Sequence, residues 1–270
     1  MSNVSIFSCS STSSARENQL PFSAALILPE CDPENAFFQV FDPQRPEIKC
    51  DLSHYGFVDD FEICQNPTAA IGRGQWANSE TNRSRFVSKV KKISKLPANT
   101  LTIRYLSFAK RNHEFSKSLL NALSPSVVHL NIYNVFCCDS ELSLLAKRVM
   151  AKGTLQHLMV ATSSLSRDFP KLLWKWLQKG EWRYVELSKV EGPTFDISFL
   201  EKLVDWWMQK GASVSRSFSV DLVISGREDL VLLNSFVYTG SFYYREHPTL
   251  RKSGASIYRE GWTHFDVRLT

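Results

Sequence analysis

Short stretches that alternate apolar and polar residues recur through the middle of the chain at an almost constant interval. Side chains on a strand point alternately to its two faces, so each stretch predicts a strand with one buried face. The first four stretches follow one another at steps of 27, 28 and 27 residues, and a fifth follows after 35. The alternating apolar positions are Leu101, Ile103 and Tyr105; Val128, Leu130 and Ile132; Leu158 and Val160; Val185 and Leu187; and Val220, Leu222 and Ile224.

The segments between these strands carry apolar residues at the i, i+3 and i+4 spacing of an amphipathic helix. Helices are predicted over residues 113–123, 140–151, 169–179 and 197–209. Their inward positions are Phe115, Leu119, Leu120 and Leu123; Leu142, Leu145 and Val149; Leu172, Leu173, Trp176 and Leu177; and Phe199, Leu200, Leu203, Val204 and Trp207. Three helices end in Lys-Gly, at residues 152–153, 179–180 and 210–211, where glycine suits the left-handed turn and lysine the negative helix end.

A strand and a helix within every 27–28 residues resembles the leucine-rich repeats of the ribonuclease-inhibitor kind. The frame L-x-x-L-x-L of that family appears as V-x-x-L-x-I at 127–132, L-x-x-L-x-V at 155–160 and W-x-x-V-x-L at 182–187. The resemblance implies a parallel sheet with helices on one side. At the next marker, where the family has Asn or Cys, this chain has Phe108, Val135, Ser163 and Val190, so we expect different hydrogen bonding in the loops.

We therefore predict an α/β fold, a short leucine-rich-repeat-like solenoid of strand-helix units with capping segments. The solenoid occupies residues 98–226. Residues 20–97 form a strand-rich N-terminal cap with a first basic helix, and residues 227–270 form a C-terminal β cap. The Ser-rich residues 1–19 are predicted to be a disordered tail.

Within the caps, strands are predicted for FFQVF at 37–41, IKCDL at 48–52, FVYTGSFYYR at 236–245 and HFDVRL at 264–269. Residues 83–96 predict the basic helix, with Phe86, Val90 and Ile93 inward and Arg85, Lys89 and Lys92 outward. On the two later predicted helices, Trp174 and Trp206 lie off the centre of the apolar stripe. We expect Trp174 to point outward as a candidate anchor for a partner.

Composition supports a globular protein of the cytoplasm or nucleus. Hydrophobic residues make up 43% of the chain and charged residues 22%, and no apolar run approaches the roughly 18 residues that span a bilayer. The N-terminal stretch MSNVSIFSCSSTSS has no basic residue, which argues against a secretory signal. The six cysteines are scattered and form no C-x-x-C pair, so we predict reduced thiols, no metal site and no cofactor.

The repeats, together with the C-terminal stretch EHPTL…GWTHF, resemble the substrate-binding half of the large F-box families, in which a repeat-like domain follows an F-box. Here Leu20-Pro21 opens the stretch LPFSAALILPE, but Pro29 and Pro33 interrupt it, and no complete F-box is present. The resemblance implies a substrate-recognition adaptor of ubiquitin ligation, with ligase subunits among its partners.

Charge is unevenly distributed, which suggests a different function. Residues 28–63 hold nine acidic and two basic residues, whereas residues 83–117 hold ten basic residues and one acidic residue. A contiguous basic patch would bind nucleic acid in a salt-dependent way. The residues that would form it are Arg85, Lys89, Lys91, Lys92, Lys95, Arg104, Lys110 and Arg111. The other interpretation is that these charges form solvated faces or attract the acidic segment.

Motifs for catalysis are lacking, and we predict that the protein is not an enzyme. IGRGQ at 71–75 lacks the third glycine of a phosphate-binding loop, and His113-Glu114 is not followed by a second histidine at Lys117. Asp59, Asp60 and Glu62, near His54, could hold a cation or exchange protons, but such an acidic loop is usually just solvated.

The surface that remains is the face of the strands opposite the helices. His129, His157 and Tyr184 occupy equivalent positions of successive units, and aromatic, Met and Arg side chains are favoured at the centres of interfaces. We predict a protein–protein interaction module that binds its partner on this face. The predicted partner-binding residues are Arg104, His129, Asn131, Tyr133, His157, Met159, Tyr184, Glu186 and, from a helix, Trp174. Ordinary exposed strand residues would give the same pattern.

Overall fold

The computed structural model describes the following parts of the chain: residues 22–27, 37–41, 58–64, 87–88, 90–92, 94–107, 113–123, 125–136, 139–210, 214–223, 235–250, 253–260 and 263–270. The strands form one mixed sheet of twelve strands, in the spatial order β2-β1-β3-β4-β5-β6-β7-β8-β12-β11-β10-β9. Their bounds are β1 Phe22–Ile27, β2 Phe37–Phe41, β3 Val58–Cys64, β4 Ala98–Ser107, β5 His129–Phe136, β6 His157–Ala161, β7 Tyr184–Ser188, β8 Arg216–Asp221, β9 Val237–Tyr238, β10 Phe242–Glu246, β11 Gly254–Glu260 and β12 His264–Leu269.

The predicted repeats form the parallel centre of this sheet. Strands β3 to β8 run parallel, each beside the next in sequence. Leu101, Leu130, Leu158 and Val185 lie opposite one another in successive strands, as the 27–28-residue spacing predicts. All four side chains are fully buried. The prediction of an α/β protein is confirmed, with a single mixed sheet as its framework.

Between β4 and β8, four helices connect the parallel strands in the described parts of the chain: α1 His113–Ala122, α2 Asp139–Ala151, α3 Phe169–Leu177 and α4 Ile197–Lys210. Their predicted inward residues belong to the same core as the strands, with two exceptions. Leu172 and Phe199 are only half-buried, because each lies at the side of its helix, next to the neighbouring helix. Trp176, Trp182 and Trp207 are among the largest fully buried side chains.

The two described Lys-Gly pairs at helix ends have glycine in the left-handed conformation, as predicted. Gly153 has φ +76° and Gly180 has φ +80°, both in the left-handed region where glycine lacks the steric penalty of a Cβ. Gly211 lies outside the described residues. Of the predicted basic helix, residues 87, 88 and 90–92 are helical, with Val90 buried and Lys92 exposed.

A second periodic feature, which the sequence pattern did not predict, recurs at or near the carboxyl ends of four of the parallel strands, β4 to β7. Tyr105, Asn134, Thr162 and Lys189 have φ values of 54°, 52°, 49° and 50°. The left-handed residue interrupts the alternation of the strand. Tyr105 was predicted to be inward but is 51% exposed, and Leu106 is buried in its place. A bend at Val128 has a similar effect, so that Val127 is buried and Val128 only half-buried.

The loops after these residues are joined across units. Ser163 is fully buried; its hydroxyl accepts a hydrogen bond from the Val135 N–H at 3.1 Å and donates one to the Ala161 carbonyl at 2.9 Å. The Glu191 N–H donates to the Ser163 carbonyl, also at 2.9 Å. The side chain and backbone of Ser163 thus join the loop after β6 to the end of β5 and to the loop after β7.

Strain at the left-handed positions gives a stability prediction. Thr162 is β-branched, which makes a positive φ unfavourable, whereas asparagine adopts this conformation routinely and does so at Asn134. Thr162→Asn is expected to raise the free energy of unfolding by about 1 kcal/mol, measured by guanidinium denaturation. The reverse change, Asn134→Thr, is the matched control and should lower it by a similar amount. Equal effects of the same sign would contradict this explanation.

At the N-terminal end of the sheet, one sequence-based prediction is wrong and another is confirmed. β3 contains Asp59, Asp60 and Glu62, so the predicted acidic loop is wrong: these residues lie in a strand that pairs with β4. His54 and the predicted strand at 48–52 lie outside the described residues. β1 occupies most of LPFSAALILPE, and residues 37–41 form β2 as predicted.

At the C-terminal end, β8 pairs with β12, and the antiparallel strands β12, β11, β10 and β9 continue the same sheet. The EHPTL stretch forms a turn beside it. His247 is buried, accepts hydrogen bonds at Nδ1 from the N–H groups of Thr249 (3.2 Å) and Leu250 (3.1 Å), and packs edge-on against Trp207. Among the described helices, none has the length and apolar character needed to cross a membrane.

Candidate functional site

The strand residues that alternate with the buried ones point away from the helices and form a surface that we call the polar face. Eight of the nine predicted partner-binding residues lie on it. They are Arg104, His129, Asn131, Tyr133, His157, Met159, Tyr184 and Glu186, all half-buried. Trp174 does not, because it belongs to α3 in the helical layer.

The predicted row of aromatic side chains is present on the polar face. His129, His157 and Tyr184 lie directly opposite one another on β5, β6 and β7. The two imidazole rings have centroids 4.3 Å apart at 30°, and the centroids of His157 and Tyr184 are 6.1 Å apart at 28°. The row is therefore a short stack of rings that runs across the strands.

Two residues further along each strand, a second row consists of Thr102, Asn131, Met159 and Glu186, which lie opposite one another. Its members make hydrogen bonds with each other and with neighbouring tyrosines. Asn131 Nδ2 donates to the Thr102 hydroxyl at 3.5 Å, and the Tyr133 hydroxyl donates to the sulfur of Met159. The Tyr184 hydroxyl donates to the Glu186 carboxylate at 2.5 Å. The polar face thus offers ring faces, a thioether and partly used hydrogen-bonding groups.

Three titratable side chains of the polar face, those of His157, Tyr133 and Tyr184, favour their neutral forms. The pKa of His157 is lowered from 6.5, first by burial and then by the neighbouring charges of His129 and Arg183. Burial raises the pKa of Tyr133, with Glu186 adding to the effect. Burial also raises the pKa of Tyr184, and its hydrogen bond to Glu186 acts in the same direction. At neutral pH His157 is therefore uncharged.

Arg104 is paired rather than free. Its Nε contacts the carboxylate of Glu62 on β3, and the two side chains are only 15% and 11% exposed. Cys64, the residue opposite Arg104, is a buried free thiol whose pKa is raised to about 12, mainly by burial and secondly by the charge of Glu62. At this end of the polar face, Arg104, Glu62 and Cys64 are therefore engaged in contacts within the protein.

The structure brings together a group of residues that sequence reasoning missed. Ser219 Oγ lies 2.8 Å from His264 Nε2, and His264 Nδ1 lies 2.7 Å from Asp221 Oδ1. Ser219 and Asp221 are two residues apart on β8, and His264 is the antiparallel partner of Asp221 on β12. No local motif could have revealed the group, since His264 is more than forty residues away along the chain. The order Ser–His–Asp is that of the serine hydrolases.

The surroundings of Ser219 do not suit acyl transfer. That reaction needs N–H donors aimed at the developing oxyanion, yet Ser219 lies within a strand paired on both sides, where backbone N–H groups lie in the plane of the sheet. The residues directly opposite Ser219 are Glu186 and Asp266, and carboxylates disfavour a nearby oxyanion. The group instead links the parallel half of the sheet to its antiparallel end.

Trp174 occupies a different surface from the other predicted residues. Its ring meets Phe199 edge-on, with centroids 5.8 Å apart, and Lys202 Nζ lies 4.5 Å from its centroid. It is half-buried between α3 and α4, so the prediction of a freely outward Trp is wrong. The reason is that the next helix in the chain packs beside it.

The predicted basic patch is only partly described, since Arg85, Lys89, Lys110 and Arg111 lie outside the described residues. Lys91, Lys92 and Lys95 are exposed. Arg104 lies on the polar face and is engaged with Glu62. The exposed lysines belong to the segment that contains Val90, which packs into the core from the helical side of the sheet. Arg104 lies on the opposite side, so the structure does not bring it together with these lysines.

Comparison of the chain with protein-family models, with curated proteins and with solved structures finds no match in any of the three.

Proposed function

We propose that this protein is a non-enzymatic protein-recognition module whose binding surface is the polar face. The observation that carries the proposal is the row of His129, His157 and Tyr184, which are aligned by strand register and stacked across three parallel strands. Rigid strands hold these rings in place, so a partner loses little free energy in ordering them.

The chemistry of the polar face supports a polypeptide as the ligand. Aromatic rings and Met159 offer apolar contact, while Asn131 and Glu186 offer hydrogen bonds, a mixture typical of the centre of an interface. Glu186 and Asp266 lie on either side of Ser219 in the register, and Asp266 already pairs with Arg268 at 3.0 Å. A basic side chain of the partner would be favoured beside Glu186.

The non-enzymatic part of the proposal is supported by the setting of Ser219, which combines acidic neighbours with a strand backbone that offers no oxyanion donors. A finer proposal follows from the 27–28-residue units. We infer a degenerate leucine-rich-repeat-like array akin to the substrate-binding part of F-box proteins, which would make the module a substrate receptor of ubiquitin ligation. The parallel, in-register strands with helices between them support this kinship.

The proposal is tested by affinity capture with the intact protein and with a variant that combines His129→Ala, Tyr133→Ala, Met159→Ala and Tyr184→Ala. A protein partner should bind the intact chain, survive a high-salt wash and be lost from the variant. The matched control combines Glu114→Ala, Lys117→Ala, Lys152→Ala and Gln209→Ala, four exposed helical-side positions, and should retain the partner. All three proteins are first compared by circular dichroism and denaturation.

Binding to the polar face should also weaken as the pH falls below 6.5 and through the lowered pKa of His157, because protonation then places a charge on a half-buried ring in the middle of the row. A lowered folded-state pKa means that the fold's stability also falls with the pH in this window, so capture is compared with folding at each pH.

Three outcomes would overturn the proposal. A partner retained by the polar-face variant would place the binding surface elsewhere. Nucleic acid recovered with both variants and lost with salt would favour the alternative function, through exposed lysines such as Lys91 and Lys92. Ester hydrolysis abolished by Ser219→Ala would show that the protein is an enzyme.

A further inference from the structure

A groove on the opposite surface of the molecule, between α2 and α3, plays no part in the function proposed above. It has a volume of about 570 Å³. Leu144, Met150, Leu172 and Trp176 give it an apolar lining. Leu144 is 47% exposed and Leu172 is half-buried, whereas Met150 and Trp176 are almost fully buried beneath them. The uncovered apolar surface of the groove is therefore supplied mainly by Leu144 and Leu172.

The rim of the groove is strongly basic. Lys147, Lys171, Lys175 and Lys179 line it, against a single acidic residue, Asp168. Asp168 pairs with Lys171 at 3.0 Å, and Lys179 donates to the Met150 carbonyl at 3.4 Å at the end of α2. Neither Lys147 nor Lys175 forms an ion pair within the described residues. An apolar floor between basic walls calls for a ligand that is both apolar and acidic.

The spacing of the lysines indicates the form of that ligand. Lys171 and Lys175 lie one turn apart on α3, about 6 Å along its axis, and Lys179 follows in the turn after the helix. Acidic residues at i and i+4 of a helix lying in the groove would repeat at the same interval. Apolar residues of that helix, at the positions between, would cover Leu144 and Leu172, as in other helix-in-groove complexes.

We propose that the groove between α2 and α3 binds an amphipathic acidic helix of a partner protein. Charge complementarity carries the choice of occupant, and the recessed apolar floor favours a helix over a flat anionic membrane surface. The site lies on the other side of the sheet from the polar face. Two partners could therefore bind one copy of the protein at the same time.

The test uses fluorescein-labelled amphipathic peptides of about 16 residues, with leucines on one face and glutamates flanking them. Several peptides that differ in the spacing of the glutamates relative to the leucines are each titrated with the full chain, and binding is measured by fluorescence anisotropy. Peptides with each Glu replaced by Gln, or each Leu replaced by Ser, should bind at least about tenfold more weakly than the parent peptide. Binding should also weaken with salt.

Variants locate the site. Leu144→Asp and Lys175→Glu, both at exposed positions, are each expected to weaken peptide binding by roughly tenfold or more. Lys117→Glu and Lys152→Glu make the same charge change outside the groove and should leave the affinity within about twofold. The alanine variant of the polar face should bind the peptide normally, which separates this proposal from the one above.

The proposal is overturned if none of the acidic peptides binds, or if the control substitutions weaken binding as much as Lys175→Glu. It is also overturned if vesicles containing phosphatidylserine bind the protein through Leu144 and Lys175 while the peptides do not. That last result would assign the groove to a membrane surface.

Discussion

Replacing Gly192 with alanine is expected to destabilise the protein by at least about 3 kcal/mol. Gly192 has φ +100°, and a Cβ added there would lie 2.1 Å from the carbonyl oxygen of Leu165. The oxygen belongs to the backbone of the preceding unit, so it cannot move aside as a side chain could. The chain has to separate the two loops instead.

Separating them breaks contacts that join the third unit to the fourth. The Leu165 N–H donates to the Glu191 carbonyl, and the Glu191 N–H donates to the Ser163 carbonyl, both at 2.9 Å. Each such hydrogen bond contributes about 1 kcal/mol, and the positive φ adds about 1–3 kcal/mol for a residue with a Cβ. Guanidinium denaturation of Gly192→Ala against the parent chain measures the sum.

Gly240→Ala is the matched control. Gly240 also has a positive φ, +91°, but a Cβ there would have no heavy atom within 4 Å. It should therefore lose only the conformational part of the stability, about 1 kcal/mol. If Gly192→Ala and Gly240→Ala lowered the free energy of unfolding equally, the two loops would have moved apart at little cost and the clash at Gly192 would not matter.

Removal of Arg104 is expected to have the second large effect. Arg104→Leu leaves the carboxylate of Glu62 in a site where it is 11% exposed and without its cation. Breaking a buried pair from one side costs about 3–5 kcal/mol, because the remaining charge stays desolvated. Since both side chains keep some contact with solvent, we expect a loss near about 3 kcal/mol, measured by the same denaturation experiment.

The double variant Glu62→Leu with Arg104→Leu should recover most of that loss, since no charge is then left buried. Lys171→Leu breaks an ion pair whose side chains are 83% and 82% exposed, and it should change stability little. If the double variant were as unstable as Arg104→Leu alone, packing and not charge would explain the effect. Because Arg104 variants are expected to be less stable, loss of a partner from such a variant is informative only where the variant is shown to be folded.

Much of the central fold follows from the sequence. Alternation in strands and i, i+3, i+4 spacing in helices are local patterns, and a strand that buries one face needs a neighbour, so the 27–28-residue interval itself predicts the order of the parallel strands. The row of His129, His157 and Tyr184 was predictable for the same reason, because equal intervals bring equivalent positions side by side.

Other features depend on contacts between segments that are distant along the chain, and only the tertiary structure determined them. Local alternation does not reveal β3, because Asp59, Asp60 and Glu62 interrupt its apolar pattern; the strand forms beside β4, where Glu62 pairs with Arg104. Ser219 and His264 meet because β12 joins the sheet beside β8, more than forty residues later. Trp174 is half-covered because α4 packs next to it.

The sequence thus determined most of the residues of each unit that face inward, since that depends on local periodicity and the burial of apolar surface. It did not determine those next to the left-handed residues, where Leu106 is buried in place of Tyr105. The tertiary structure decided which polar residues are paired and which apolar ones are left uncovered, such as Leu144 in the groove. That outcome depends on how neighbouring units pack, and packing is set by all the units together.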